Sequence, residues 1–297
     1  MNFPIHLVLD EIDWDPRRAL PVAQGLGIRT YTLRMINQRR YPDVPEEEHR
    51  WLESLRKGGV CRFDVISPGI NKGLFDEKDI GRVINEAFPK CLAAARRIGA
   101  KDISLFSWAK ALGALPPSTA GGLSPSAPVK AICAALRQMA DMAARAGLTI
   151  SVEVGYQCWG DTGLATAQLI EAADHPALHM LWDPCNSLCG RALWLGNATA
   201  NRAFTDPVSV LTAELEQVAG LINGVHVRDL VLCPPKWEYV LAGRGQVDWT
   251  VLTQALWSYG YRGPLMIEHH IPAPDKEAAT RHTARYLEQI IHTKNHG

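Results

Sequence analysis

The chain has 297 residues, which allows one large domain or two small ones. Hydrophobic residues make up 47% and charged residues 21%, as in ordinary soluble enzymes, and 31 basic residues balance 31 acidic ones. This balance argues against nucleic acid or an acidic membrane surface as a partner, so we expect a small-molecule ligand. The start, Met1-Asn-Phe-Pro-Ile-His, lacks the features of a secretion signal, and no apolar run is long enough to span a membrane. We therefore expect a cytoplasmic protein, with a homo-oligomer left open.

The cysteines give no indication of disulfide bonds or of a structural metal site. The seven cysteines are odd in number and scattered, and no two of them form a Cys-x-x-Cys pair. This pattern argues against both a disulfide framework and a structural zinc site.

In the first half of the chain, short apolar runs alternate with longer amphipathic ones. The predicted strands are Ile5 to Leu9, Ile28 to Met35, Arg62 to Ser67 and Asp102 to Trp108. The predicted helices are Pro16 to Gly25, Pro45 to Gly58 and Glu77 to Ile98. A stretch rich in Pro, Gly and Ser, Gly113 to Pro128, is predicted to be a loop.

The second half repeats the alternation. Its predicted strands are Leu148 to Gly155, Leu178 to Asp183, Gly224 to Asp229 and Pro264 to His269. Its predicted helices are Val129 to Ala146, Val208 to Ile222 and Lys276 to His292. A further helix is predicted to begin at Asp248, which would cap it. A long connection is predicted between Asn186 and Asp206. Eight such units without a linker predict a single (β/α)8 TIM barrel over residues 1–297.

The last four predicted strands each end in a residue that binds hard cations: Glu153, Asp183, His226 and Glu268. Three carboxylates and an imidazole suit Mn²⁺, Co²⁺, Mg²⁺ or Zn²⁺ in an open catalytic site. Each residue alone has a structural explanation, because strand-end carboxylates often cap helices and a lone strand His is usually a core residue. In a barrel, however, the carboxyl ends of the strands converge on one mouth, so four residues in this position favour a metal site.

Side chains alternate along a strand, which separates residues that face the mouth from those that do not. Arg228 shares the phase of His226, and His270 that of Glu268, so both are candidates for substrate binding. Asp229 and His269 are expected to point outward or into loop contacts. An ion pair with Asp229 or Glu238 is the alternative for Arg228.

Two further residues are candidate substrate contacts. Trp108 follows a predicted strand, where its ring would stack on a sugar or else pack against the barrel rim. His6, on the first strand, would reach the pocket floor or serve as a core histidine.

The motifs Val-Glu-Val-Gly, Trp-Asp-Pro-Cys-Asn, Val-His-Val-Arg-Asp and Pro-Leu-Met-Ile-Glu resemble those of the xylose isomerase-like TIM barrel superfamily of sugar isomerases and epimerases. The resemblance implies one divalent metal ion, Mn²⁺ first with Mg²⁺, Co²⁺ or Zn²⁺ as alternatives, at Glu153, Asp183, His226 and Glu268. It also implies keto-sugars, hydroxy-ketones or keto-inositols as substrates. Many relatives carry a His where this chain has Asn186, which we include among the substrate-binding candidates.

Such a site permits proton transfer next to a carbonyl. A metal that chelates a carbonyl and its neighbouring hydroxyl stabilises the enediolate, and Glu153 and Glu268 are the candidate catalytic base and acid. An epimerase or isomerase of carbohydrate metabolism is the first hypothesis. A dehydratase or lyase acting on a keto-sugar or keto-inositol, or a non-catalytic sugar-binding subunit, stays open.

Overall fold

Eight parallel strands close into a barrel in this computed structural model, which describes residues 1–111, 123–194, 205–233 and 236–292. In chain order the barrel strands are β1 (Ile5–Val8), β2 (Thr30–Leu33), β5 (Arg62–Ile66), β6 (Asp102–Leu105), β7 (Thr149–Glu153), β8 (Leu178–Trp182), β9 (Ile222–Val227) and β12 (Leu265–Ile267). Each pairs with the strand next to it in this order, and β12 closes the ring on β1. The predicted (β/α)8 barrel is therefore confirmed.

Ten α-helices accompany the strands in the described parts of the chain. They are α1 (Pro16–Gly25), α2 (Glu46–Lys57), α3 (Glu77–Arg82), α4 (Phe88–Ile98), α5 (Ala127–Arg145), α6 (Gly163–Ala173), α7 (Pro184–Trp194), α8 (Pro207–Val218), α9 (Trp249–Ser258) and α10 (Lys276–His292). Several begin at a side chain that accepts a backbone N–H of the first turn, among them Asp15, Thr162 and Asp248. The caps at Asp15 and Asp248 explain why the predicted starts of α1 and α9 lie close to the observed ones, whereas α6, which Thr162 caps, was not predicted from the sequence.

Two predicted segments differ from the structure. The predicted helix from Glu77 to Ile98 contains a π-helical turn, Val83–Ala87, that separates α3 from α4. The predicted connection after Asn186 is wrong at its start, because α7 begins directly after β8; Pro184 suits a first helical turn, and Asp183 accepts the backbone N–H of Asn186. The rest of that connection at 195–204, and the predicted loop at 113–122, lie outside the described residues.

Two short antiparallel hairpins follow barrel strands. The first joins β3 (Met35–Ile36) to β4 (Arg39–Arg40) directly after β2, with Asn37 and Gln38 in its turn. The second joins β10 (Asp229–Cys233) to β11 (Lys236–Val240) directly after β9. Because they extend from carboxyl ends of barrel strands, both hairpins contribute residues to the barrel mouth.

The alternation of side chains along β9 and β12 separates the core from the barrel interior. Leu265 and Ile267 belong to the main apolar core, whereas Met266 packs with Val65 and Leu181 in a small separate cluster. By the same alternation, Glu268 faces the interior two residues beyond Met266. Within the described residues, no helix is both long and apolar enough to cross a membrane.

Candidate metal centre and substrate pocket

The structure brings together the four residues proposed as metal ligands. Glu153 is the last residue of β7, Asp183 follows β8, His226 lies near the end of β9, and Glu268 follows β12. One ligand atom from each lies within 4.8 Å of the other three, and all four residues are buried. The neighbouring order of β7, β8, β9 and β12 in the barrel produces this arc, with Glu153 and Glu268 at its two ends.

The electrostatics of this arc favour a cation. His226 Nδ1 lies 3.0 Å from Glu268 Oε2 and 3.6 Å from both Glu153 Oε1 and Asp183 Oδ2. Burial opposes protonation of His226, but Glu268 and Glu153 outweigh burial and raise the pKa of His226 to about 10. The negative field that stabilises a proton there also attracts a metal cation.

The hydrogen bonding of the site supports the same interpretation. Nδ1 of His226 and Oε2 of Glu268 are buried and lie 3.0 Å apart, yet neither makes a hydrogen bond of adequate geometry with any described residue, although buried polar atoms are almost always paired. Both residues belong to the candidate ligand set. One imidazole nitrogen and three carboxylate oxygens that lie within 4.8 Å of one another therefore fit one divalent cation of the type inferred from the sequence.

Arg228 faces the same site, as its phase along the strand predicts. Its guanidinium forms an ion pair with Asp183 and lies 3.0 Å from Oε2 of Glu268, so its partners are not the suggested Asp229 or Glu238. Burial acts to raise the pKa of Glu268, but His226 and Arg228 outweigh burial and hold that pKa well below its ordinary value. Arg228 thus helps to keep Glu268 ionised.

A pocket of about 490 Å³ opens beside the four residues, within the range of small-molecule sites. Of the four candidate ligands, Glu153 and Glu268 line this pocket. The predicted substrate contacts Arg228, Asn186 and His270 line it as well. Its aromatic walls come from Trp14, Phe106, Tyr156 and Tyr239.

Asn186 and His270 are each held by their surroundings. The side-chain amide of Asn186 donates to the carbonyl of Val154 at 2.8 Å. His270 donates its backbone N–H to Glu11, and its Nε2 lies 3.6 Å from Oε2 of Glu268. Burial lowers the pKa of His270 to about 4, against the opposing attraction of Glu268. These contacts hold both residues at the pocket wall.

The structure does not bring His6 and Trp108 to this pocket. His6 is the second residue of β1 and lines a separate cavity with Asp64 and Asn223, at the amino-terminal end of the barrel. Trp108 is 1% exposed and packs edge-on against Phe75, because the chain turns there with a φ of 56° and directs the ring into the core. The expectation that these two side chains contact the substrate is therefore corrected.

A buried ion cluster around Arg34 lies at the barrel mouth and was not predicted from the sequence. Arg34, directly after β2, donates to both carboxylate oxygens of Asp10 and to Oε1 of both Glu11 and Glu268. Burial acts to raise the pKa of Glu11, but Arg34 outweighs it and lowers the pKa to about 2. The available signal was position, since Asp10 and Glu11 follow the first strand as the metal-ligand candidates follow theirs.

The carboxylate of Asp229 organises the turn after the second hairpin. It accepts the backbone N–H groups of Gly243, Gly245 and Val247 at 2.9 to 3.0 Å, as well as that of Leu230. A Cβ on Gly245 would lie 2.2 Å from an oxygen of Asp229, so the turn requires glycine there. Asp229 therefore lies in loop contacts and not in the pocket.

The sequence matches a family model over most of its length. The model describes the xylose isomerase-like TIM barrel and covers residues 20–290. The chain belongs to this family. A comparison with curated proteins found no match.

Solved structures share the same fold at low sequence identity. The IolI protein with a bound zinc atom has a TM-score of 0.73 at 14% identity, over 99% of this chain and 100% of that one. L-ribulose 3-epimerase has a TM-score of 0.71 at 16% identity, over 98% and 95% of the two chains. The probable 3-DHS dehydratase AsbF from Bacillus anthracis has a TM-score of 0.67 at 14% identity, over 96% and 98%. At these identities the similarity establishes the fold alone.

Proposed function

We propose that this protein is a divalent-metal-dependent isomerase or epimerase that acts on a keto-sugar or a related hydroxy-ketone. One observation carries the proposal. Of the four candidate ligands, the two that reach the pocket wall are Glu153 and Glu268, and they stand at opposite ends of the ligand arc. Two carboxylates on either side of a cation site are the arrangement that moves a proton next to a carbonyl.

The residues that would hold the metal are Glu153, Asp183, His226 and Glu268. A bound divalent cation would supply Lewis-acid stabilisation of the negative charge that develops on the substrate oxygens. The protein itself contributes position, since three buried carboxylates and an imidazole on four neighbouring strands cannot move far without disturbing the barrel.

Glu153 is the stronger candidate for removing the proton. Oε1 of Glu153 lies 3.6 Å from Nδ1 of His226. In Glu268, by contrast, Oε1 pairs with Arg34 and Oε2 lies 3.0 Å from Arg228. These cations make Glu268 a weaker base than an ordinary glutamate. Return of the proton by Glu153 to the neighbouring carbon gives isomerisation. Epimerisation instead requires a second, solvent-derived proton to reach the original carbon from the side of Glu268, while Glu153 releases its own proton to solvent.

Proton exchange in D₂O tests this proposal. Wild-type protein supplied with Mn²⁺ is incubated with a panel of neutral and anionic keto-sugars, and deuterium next to the carbonyl is measured by mass spectrometry. We expect Glu153→Gln to lower the exchange rate at least about a hundredfold, the usual contribution of a general base. Glu238→Gln, at an exposed position of β11, is the matched control and should exchange like wild type.

Two outcomes would contradict the proposal. Equal exchange in wild type and Glu153→Gln would remove Glu153 from the mechanism. No exchange by metal-loaded wild type on any member of the panel would favour a sugar-binding protein without turnover. Loss of water from the substrate, seen as a mass difference, would instead identify a dehydratase that uses the same groups.

A further inference from the structure

Two cations of the pocket wall, Arg40 and Lys72, have no carboxylate partner in the described parts of the chain. Arg40 donates to the backbone carbonyl of Ser67 at 3.3 Å, and Nζ of Lys72 lies 5.3 Å from the centre of the Phe106 ring. Neither forms an ion pair with any described residue. The segments outside the description, 112–122, 195–204, 234–235 and 293–297, contain no Asp or Glu. No acidic side chain elsewhere in the chain is therefore left to neutralise them.

The other cations of the pocket are already engaged. Arg34 pairs with three carboxylates, Arg228 pairs with Asp183 and Glu268, and Lys276 donates to the backbone carbonyl of Asp10 at 2.6 Å. Arg40 and Lys72 differ from Arg34 and Arg228 in having no carboxylate partner among the described residues. Lys276 shares this lack, but its ammonium is held by the short hydrogen bond to Asp10. Burial, followed by the nearby Arg34, lowers the pKa of Arg40, as expected for a guanidinium that lacks a counterion.

The loop that follows β5 contacts Arg40 and contains Lys72. Arg40 ends the first hairpin and leans on Gly69, where a Cβ would lie 2.9 Å from its Nη1. Gly69 has a φ of +70°, so glycine suits this position on both counts. Lys72 follows three residues later, against Phe106. The loop after β5 therefore packs against Arg40 through Gly69 and carries Lys72, which brings both cations to the pocket wall.

Charge balance indicates what they bind. The pocket wall carries five cations, Arg34, Arg40, Lys72, Arg228 and Lys276. Five carboxylates face them, Asp10, Glu153 and Glu268 on the wall with Glu11 and Asp183 directly behind. With His226 neutral as a ligand, a divalent metal ion at the ligand arc would add two positive charges to this balance, and a neutral sugar would leave the excess in place.

We propose that Arg40 and Lys72 form a subsite for an anionic group of the substrate, which makes that substrate a keto-sugar acid or a keto-sugar phosphate. This inference rests on the proposed function, because it assigns the substrate class of the same pocket. Arginine offers a planar pair of donors to a carboxylate or phosphate, and the lysine adds a mobile point charge.

Binding to matched probes tests the subsite. The affinities of Mn²⁺-loaded protein for D-fructose, D-fructose 6-phosphate and 5-keto-D-gluconate are measured by calorimetry. We expect at least one anionic probe to bind about tenfold or more tightly than D-fructose, as one charge-assisted hydrogen bond supplies. Whichever anionic probe binds more tightly distinguishes a phosphate from a carboxylate.

Variants separate the subsite from the metal centre. Arg40→Gln and Lys72→Gln should each reduce the preference for the anionic probe about tenfold, with the metal content unchanged. Arg39→Gln, at the exposed neighbouring position of the hairpin, should leave that preference unchanged. Each variant is first checked for its metal content and circular dichroism spectrum.

The inference is overturned if neither anionic probe binds more tightly than D-fructose, or if Arg40→Gln keeps the wild-type preference. Such a result leaves the proposed function standing wherever neutral keto-sugars still exchange their protons. An anion preference without any proton exchange would instead support the subsite and contradict the proposed activity.

Discussion

Asp183 shows how one residue can serve structure and function through different atoms. Its Oδ1 accepts the backbone N–H of Asn186 at 2.8 Å and so caps α7, while its Oδ2 lies 3.6 Å from His226 Nδ1. The two explanations of a strand-end carboxylate, helix cap and metal ligand, therefore do not exclude each other. The cap fixes the side chain, and a fixed carboxylate loses less entropy when it binds a cation.

His6 gives a residue-scale prediction about acid stability. Burial lowers its pKa from 6.5 to about 4, so the unfolded chain takes up a proton between these pH values that the folded chain does not. Stability contributed by neutral His6 is thus present above pH 6.5 and lost as the pH falls towards 4. We expect this one group to cost about 3 kcal/mol across the window.

Urea unfolding at several pH values measures the effect in wild type and His6→Gln. The difference in unfolding free energy between the two proteins should shift by about 3 kcal/mol between neutral pH and the acid end of the window. A glutamine variant that loses stability with falling pH as steeply as wild type would refute this role. Because His6 lies away from the pocket, the variant should bind metal normally.

At the scale of elements, Arg34 connects the ends of three barrel strands. Asp10 and Glu11 follow β1, Arg34 follows β2, and Glu268 follows β12, the strand at which the barrel closes on β1. All three carboxylates are buried, so Arg34 compensates charge on each of them, and it shares this role with His226 and Arg228 at Glu268. The cluster fixes Glu268 next to the place where β12 pairs with β1.

Replacing Arg34 by methionine should therefore be costly. Arg34→Met keeps much of the volume but leaves buried carboxylates without their counterion, and we expect a loss of about 3–5 kcal/mol in the free energy of unfolding. Urea unfolding at neutral pH measures it. Arg39→Met, at an exposed position of the hairpin that follows Arg34, is the control and should change stability by less than about 0.5 kcal/mol. A similar small change in Arg34→Met would contradict the account.

At the scale of the whole molecule, the sequence predicted the barrel because buried parallel strands read as short apolar runs between amphipathic helices. All eight predicted strands correspond to barrel strands, and the convergence of their ends follows from the architecture. The arc of Glu153, Asp183, His226 and Glu268 could be inferred in this way.

Contacts between distant segments could not be predicted from such patterns. Arg34 meets Glu268 across 234 residues, and no local period indicates this pairing. Position along a strand also decides function, since His6 faces the interior but at the end opposite to the mouth. For Trp108, a single backbone turn directs the ring into the core. These features depend on tertiary packing, which overrides local signals.

The proposed chemistry requires that the four buried residues Glu153, Asp183, His226 and Glu268 hold one divalent metal ion. Metal content is measured by mass spectrometry after dialysis with Mn²⁺ and removal of free ion, for wild type, His226→Ala and the control His6→Gln. We predict about one ion per chain in wild type and in His6→Gln, and less than about a tenth of that in a folded His226→Ala protein. No bound ion in wild type, or equal content in His226→Ala, would contradict the account.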